Sequence, residues 1–186
     1  MKSTLRLVLS VAIAASALSV QAGERVGDFA LIDHNGTFQH MAWYDDHSAA
    51  VIMPFTATTD LTKFSALQAT YADLGVAFFL MNLGLESDRD AVASVLASKG
   101  VDASVLMDDA QLVTEMLGIQ HIDEVVLYNP SNFELLYRGP AGDQLETSIQ
   151  AAVKGENNDL IEVAASGPAI EFINADLHAN LSYAQD

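Results

Sequence analysis

The chain has 186 residues with 25 Asp or Glu, 8 Lys or Arg and no Cys, and its formal net charge at pH 7 is −17. This length suits one domain with a core large enough to fold alone. The acidic balance repels phosphate backbones and excludes nucleic acid from the partners we expect, while the lack of cysteine excludes thiol redox chemistry by the chain on its own.

The first 22 residues have the pattern of a secretory signal peptide. Lys2 and Arg6 precede an apolar run over residues 7–20, and Val20-Gln21-Ala22 provides a small-residue cleavage site before Gly23. The apolar run is too short to span a bilayer comfortably. We therefore expect a periplasmic or secreted protein that has no contact with the membrane after the signal is cleaved.

The first elements after the signal are predicted to form an N-terminal β-hairpin. Residues 29–33 alternate as a short strand, His34-Asn35-Gly36 is a tight-turn sequence, and residues 37–41 resume an extended chain. Trp43, beside Tyr44, is expected to pack a short helix against the main sheet.

A β-α-β unit follows the hairpin. Residues 49–55 and 76–83 are continuous apolar runs, which is typical of parallel strands buried on both faces. Thr59 or Asp60 is the predicted cap of the helix between them. The apolar positions of that helix recur at helical spacing and are Leu61, Phe64, Leu67 and Tyr71.

The second half continues to alternate between helices and strands until residue 155. From residue 156 the periodicity fades, so we predict a signal peptide over residues 1–22, one domain over residues 23–155 and a linker or loosely docked tail over residues 156–186. The predicted elements are a helix from Ser87 to Lys99-Gly100, a strand over 104–107, a helix capped by Asp109 and closed by Gly118, antiparallel strands over 124–128 and 133–138, and a helix over 143–153.

Several motifs along residues 26–155 share the order and spacing of a known family. Val26-Gly27-Asp28-Phe29 is followed by Leu31-x-Asp33-x-x-Gly36, by a strand ending in a Thr-rich loop, and later by EVVLYNP and LLYRGP. In these features the chain resembles the redoxin branch of the alkyl hydroperoxide reductase and thiol-specific antioxidant family. The resemblance implies a thioredoxin-like α/β fold, with a central mixed β-sheet flanked by helices and an N-terminal β-hairpin.

The same resemblance implies an active position that has lost its nucleophile. In the family a reactive Cys lies at the start of the helix after the second core strand, where amide groups and a nearby cation stabilise the thiolate. On the redoxin pattern the Cys-Pro pair falls on Thr59-Asp60, with Lys63 where a basic residue is common. On the peroxiredoxin pattern Pro54 and Thr58 match, and the Cys falls on Leu61.

Other positions of the implied site also depart from the family. The cis-proline position before the third core strand falls on Ile122-Asp123, and Arg138 resembles a recurrent redoxin position where we expect a structural role facing an acidic neighbour. The degenerate active-site positions are therefore Pro54, Thr56, Thr58, Thr59, Asp60, Leu61, Lys63, Ile122, Asp123 and Arg138. No catalytic residue is predicted, because peroxide reduction needs a sulfur that accepts oxygen reversibly.

Metal and cofactor sites are not expected. His34 and His40, which could approach each other across the hairpin, are the one pair to check for copper or zinc. Asp108-Asp109 with a nearby carboxylate could bind a hard cation, but carboxylates at a helix start ordinarily cap the helix.

The leading hypothesis is a binding or accessory module that engages a protein partner of the cell envelope and carries out no thiol chemistry. One alternative is an antioxidant or oxidoreductase that acts with a metal or with a thiol supplied by a partner. Another is the N-terminal module of a redoxin and c-type cytochrome electron-transfer protein, because the segment SYAQD at residues 182–186 resembles sequence found ahead of such a cytochrome.

Overall fold

The computed structural model describes residues 24–83, 88–156 and 159–173, so the predicted signal peptide and Ser87 lie outside the described residues. Within these ranges no helix is long and apolar enough to cross a bilayer. The strands are β1 (Ala30–Ile32), β2 (Phe38–His40), β3 (Ala49–Phe55), β4 (Val76–Asn82), β5 (Ser104–Met107), β6 (Val125–Asn129), β7 (Glu134–Gly139) and β8 (Ile161–Glu162). The helices are α1 (Thr62–Tyr71), α2 (Arg89–Ser98), α3 (Leu112–Met116) and α4 (Asp143–Lys154), with 3-10 helices at Met41–Tyr44 and Ala72–Leu74.

The main sheet is mixed and has the strand order β5-β4-β3-β6-β7-β8. Strands β3 and β4 are parallel along their whole length, from the pair Ala49 and Val76 to the pair Phe55 and Asn82. Strand β6 runs antiparallel to both β3 and β7. This pairing confirms the predicted α/β fold with parallel central strands. Every residue of β3 and β4 is buried, as the continuous apolar runs predict.

Alternate residues of β3 serve two separate cores. Val51 and Met53 face a cluster that includes Phe64 of α1, Leu96 of α2 and Leu145 of α4. Ala50 and Ile52 face the opposite cluster, which includes Phe29, Met41, Leu117 and Tyr128. The sheet is thus covered on both faces, which leaves the strand ends as the accessible part of the central sheet.

The N-terminal hairpin forms as predicted, with β1 antiparallel to β2. Buried Asp33 organises its turn: Oδ1 accepts hydrogen bonds from the amides of Asn35 and Thr37, each at 2.9 Å. The other carboxylate oxygen accepts from Gln39 at 2.9 Å and from the Ser104 hydroxyl at 3.2 Å. This carboxylate therefore joins the hairpin to β5 of the main sheet.

These contacts predict an acid-sensitive hairpin. Burial raises the pKa of Asp33, but the hydrogen bonds from Gln39, Thr37, Asn35 and Ser104 together outweigh it and leave the pKa below its usual value. A lowered pKa stabilises the fold above the unfolded-state pKa of about 4, and this stabilisation is lost as the pH falls through the folded-state pKa.

At pH 7 we therefore expect Asp33→Asn to lower the free energy of unfolding by about 1 to 2 kcal/mol. The gap between wild type and variant should shrink as the pH falls below about 4, which urea unfolding at a series of pH values measures. A gap that stays constant from pH 7 to pH 3 would contradict the assignment.

The residue predicted to cap α3 is wrong, and α2 begins with an aspartate as its cap. Asp88 caps α2, with its Oδ1 accepting the amide of Asp90 at 2.9 Å. At α3 the acceptor is buried Asp108 and not Asp109, since Asp108 accepts both the amide and the hydroxyl of Thr114 at 2.7 Å. Asp108 is therefore a structural acceptor at the start of α3. This is the capping role that the sequence analysis gave as the alternative to binding a cation.

The tryptophan prediction is also wrong. Trp43 is 62% exposed, whereas its neighbour Tyr44 packs on Phe79 with ring centres 5.1 Å apart. The Tyr44 hydroxyl donates to Gln39 at 2.6 Å. Tyr44 is thus the aromatic residue that joins the short 3-10 helix to the main sheet.

Residues 159–173 are joined to the domain more closely than the fading periodicity indicates. Strand β8 pairs in parallel with β7, and the amide of Ile170 donates to the carbonyl of Gln120 at 2.8 Å. The amide of Ile122 donates to the carbonyl of Pro168 at 3.0 Å. This stretch, named here the 159–173 segment, extends the sheet and reaches the loop before β6.

Candidate functional site

A groove of about 310 Å³ lies where the Thr-rich loop after β3 meets the loop before β6. The two loops are neighbours because β3 and β6 are antiparallel, so the end of one strand adjoins the start of the other. The structure therefore brings Thr58 and Thr59 together with Ile122 and Asp123. The lining residues are Met53, Thr56, Thr58, Thr59, Asp60, Ile122, Asp123, Pro140, Ala141 and Pro168.

The threonines of this loop bond to one another. The amide of Thr56 donates to the Thr59 hydroxyl at 2.9 Å, and the two hydroxyl oxygens are 3.0 Å apart. The hydroxyl of Thr58 lies 3.1 Å from that of Thr56. Of the two residues predicted to cap α1, Thr59 therefore closes a tight loop instead, whereas Asp60 bonds the first turn of the helix.

The start of α1 is stabilised by Asp60. Its Oδ1 accepts the amide of Thr62 at 2.9 Å and the Thr62 hydroxyl at 2.7 Å. These two hydrogen bonds, with a smaller contribution from the charge of Lys99, hold the pKa of Asp60 below its usual value. On the peroxiredoxin pattern, Pro54 and the Cys position at Leu61 are buried, whereas Thr58 is exposed.

The cation expected at Lys63 is directed elsewhere. Lys63 binds the carboxylate of Glu146 on α4 at 3.0 Å, and the hydrogen bond and charge of Lys63 lower the pKa of Glu146. The cation beside the loop is instead Lys99, whose Nζ donates to the carbonyl of Thr59 at 2.9 Å. Sequence reasoning assigned Lys99 only to the end of α2, because nothing local links it to a residue 40 positions away.

The wall opposite the Thr-rich loop is completed by the 159–173 segment. Asp123 accepts the amide of Gly167 through Oδ1 at 2.9 Å, which holds the neighbouring Pro168 against the groove. A Cβ added at Gly167 would overlap the Asp123 carboxyl group, so this close approach requires glycine. Pro140, Ala141 and Pro168 are lining residues that the sequence analysis missed, and their only signal was their Gly- and Pro-rich context.

Arg138 has the structural role expected of it and is not among the groove's lining residues. Its guanidinium binds Glu162 at 2.7 Å and Glu24 at 3.1 Å, and it donates to the carbonyl of Leu117 at 3.2 Å. Arg138 thereby links β7, β8 and the end of α3.

The proposed approach of His34 to His40 is wrong. The Nδ1 atom of His34 accepts the amide of Val105 at 3.2 Å, whereas the Nε2 atom of His40 is hydrogen-bonded to the Asp28 carboxylate at 2.5 Å. Within the described residues no group of three or more His, Cys, Asp or Glu side chains is placed to hold a metal ion. The structure therefore offers no metal centre to examine in these ranges.

The groove combines apolar walls with polar groups. Its apolar walls come from Met53, Ile122 and two prolines, and hydroxyl and carboxylate groups lie along its rim. A threonine hydroxyl becomes a nucleophile only with a base in hydrogen-bond reach, and the Thr59 hydroxyl instead accepts a backbone amide. Shape and polarity, rather than a reactive group, are what this groove presents.

No protein-family model matches the chain, and no curated protein matches it at a significant level. Solved structures do match: a hypothetical protein from Sinorhizobium meliloti is 20% identical with a TM-score of 0.68, covering 83% of this chain and 96% of that one. A thiol:disulfide interchange protein of the thioredoxin family from Chlorobium tepidum is 15% identical with a TM-score of 0.59, covering 72% and 98%. Peroxidoxin BcpB from Mycobacterium tuberculosis is 15% identical with a TM-score of 0.58, covering 73% and 97%.

These similarities, with the mixed sheet and the N-terminal hairpin, define a thioredoxin-like α/β protein. The sequence of this thioredoxin-like chain contains no cysteine.

Proposed function

We propose that this chain is an exported, cysteine-less thioredoxin-like module that binds a segment of a protein partner of the cell envelope. The observation that carries the proposal is the groove, which remains open beside the Thr-rich loop although the chain has no thiol. Export is supported by the signal pattern of residues 1–22.

The shape and lining of the groove favour a short stretch of polypeptide. Its volume of about 310 Å³ is at the lower end of ligand sites, which suits one or two side chains rather than a large cofactor. Ile122, Pro140 and Pro168 provide apolar contact, while the exposed residues Thr58 and Asp60 add polar groups to the lining. Binding would draw on apolar burial, with the rim groups orienting the segment.

Site-specific photocrosslinking in the native envelope tests this proposal. A photoreactive amino acid at exposed Thr58, in the groove lining, should yield a discrete crosslinked protein that mass spectrometry identifies. The same amino acid at Leu74, which is also exposed but lies in the 3-10 helix after α1, is the matched control and should not yield that adduct. Identical adducts at both positions, or none at Thr58, would overturn the groove assignment.

Two further measurements separate this function from an enzymatic one. The purified chain should consume hydrogen peroxide no faster than buffer when dithiothreitol or thioredoxin is the reductant. Clear turnover, or stoichiometric copper or zinc by elemental analysis, would favour an oxidoreductase that uses a metal or a partner's thiol.

Export itself predicts a mature chain beginning at Gly23, which N-terminal sequencing of the exported fraction checks.

A further inference from the structure

The outer face of the N-terminal hairpin is apolar and aromatic. Ile32 and Phe38 are cross-strand neighbours, and His40 lies two residues after Phe38 on the same face. Trp43, from the following 3-10 helix, packs beside both rings, with centroids 5.4 Å from Phe38 and 5.7 Å from His40. We call these four residues, Ile32, Phe38, His40 and Trp43, the hairpin aromatic face.

This face is exposed, whereas the other face of the hairpin is buried. Ile32 is 43% exposed, Phe38 is 49% exposed and Trp43 is 62% exposed. On the opposite face Gln39 is buried and bonds both Asp33 and Tyr44. An exposed hairpin surface is ordinarily polar, and contiguous apolar patches commonly mark sites of interaction. The contacts that hold the hairpin to the domain are on the buried face. They do not explain why apolar side chains are exposed on the opposite face.

The charges around this face are negative. Asp28 contacts one end of it, pairing with His40 and accepting the amide of Ala42 at 3.2 Å. Asp45 and Asp46 follow the 3-10 helix and are exposed, and residues 26–62 contain no Lys or Arg. The guanidinium of Arg89 lies at the other end of the hairpin, beside Gly36 in its turn. The end formed by His40 and Trp43 is therefore the acidic end.

We propose that the hairpin aromatic face docks a partner protein segment that combines apolar side chains with Lys or Arg. The apolar groups would cover Ile32, Phe38 and Trp43, and the cations would meet the carboxylates at the acidic end. A second copy of this chain is disfavoured as the occupant by the net charge of −17, and an anionic bilayer is repelled for the same reason. This surface shares no residue with the groove lining, so it is a second and independent binding surface.

Trp43 reports on this surface directly because it is the only tryptophan of the chain. The probe is a synthetic 14-residue peptide in which Leu and Lys alternate. Its control is a peptide of the same length in which Glu replaces each Lys. We expect the Lys peptide to shift Trp43 emission to shorter wavelength and to protect it from acrylamide, with an apparent Kd that rises at least threefold between about 50 and 300 mM salt. The Glu peptide should do neither.

Paired variants locate the site. Ile32→Ser with Phe38→Ser should weaken binding about tenfold, while Leu74→Ser with Leu112→Ser, at two somewhat more exposed positions elsewhere, should bind as wild type. Asp45→Asn with Asp46→Asn leaves the apolar face intact and should weaken binding about threefold. Circular dichroism and thermal unfolding show that each variant folds.

Three outcomes would overturn the proposal. If the two double-serine variants bind the Lys peptide with equal affinity, the peptide does not bind at the hairpin aromatic face. A blue shift that depends on protein concentration without peptide would assign the face to a second copy. Binding to anionic phosphatidylglycerol vesicles that the Lys peptide does not displace would assign it to a lipid surface.

Discussion

We expect the Asp108→Ala variant to lose about 3 kcal/mol of unfolding free energy, more than a hundredfold in the folding equilibrium. Asp108 is 3% exposed, and its carboxylate accepts the amide and hydroxyl of Thr114 at 2.7 Å and the amide of Val113 at 3.3 Å. Alanine leaves these buried donors of α3 without that acceptor. Urea unfolding at pH 7 measures the loss.

The neighbouring carboxylate is the matched control. Asp109 is exposed, so Asp109→Ala should change the free energy of unfolding by less than about 0.5 kcal/mol. Equal losses in the two variants would show that general acidity near α3, and not the geometry of one carboxylate, stabilises the helix.

A thiol introduced at position 59, where the family resemblance places the reactive Cys, should be a reactive cysteine. In Thr59→Cys the sulfur would replace a hydroxyl that accepts the amide of Thr56, and the Lys99 ammonium lies on the carbonyl of the same residue. An amide donor and a nearby cation stabilise a thiolate. We expect a thiol pKa about one unit below the usual 8.5, which raises the thiolate fraction at pH 7 from about 3% to about 24%.

Alkylation by iodoacetamide at pH 7 tests this expectation. Thr59→Cys should react about threefold faster than Ala66→Cys, an exposed control on α1, because the lower nucleophilicity of a more acidic thiol offsets part of the roughly eightfold gain in thiolate. Adding Lys99→Met to Thr59→Cys should bring its alkylation rate closer to that of Ala66→Cys, because the nearby cation is removed. Equal rates for the two single cysteines would mean that the loop no longer favours a thiolate.

Much of the fold could be predicted because its signals are local. The apolar runs of β3 and β4 and the tight-turn sequence at the hairpin each specify a conformation within a few residues. The caps could not be assigned as reliably, since Asp108 and Asp109 are chemically identical. Which of them reaches the α3 amides depends on the path of the backbone, including the left-handed conformation of Gln111.

The candidate site was predictable in part. The family resemblance pointed to Thr59 and to Ile122-Asp123, and the pairing of β3 with β6 is what brings these positions together. Lys99 and Pro168 were missed because they come from the end of α2 and from the 159–173 segment, far along the chain. His34 and His40, the pair to check for copper or zinc, have separate partners, since His34 bonds Val105 of β5 and His40 bonds Asp28.

By itself the sequence determined that the chain has no cysteine and predicted how its central strands lie. Composition excludes a thiol of its own and sets an acidic surface, and hydrophobic periodicity predicts the buried β-α-β unit. Only the tertiary structure decided that the groove stays open, that the 159–173 segment forms one of its walls, and that Phe38 and Trp43 form an exposed face. The physical reason is that composition and periodicity are properties of short stretches, whereas a groove or a surface depends on strand register and packing between residues distant in sequence.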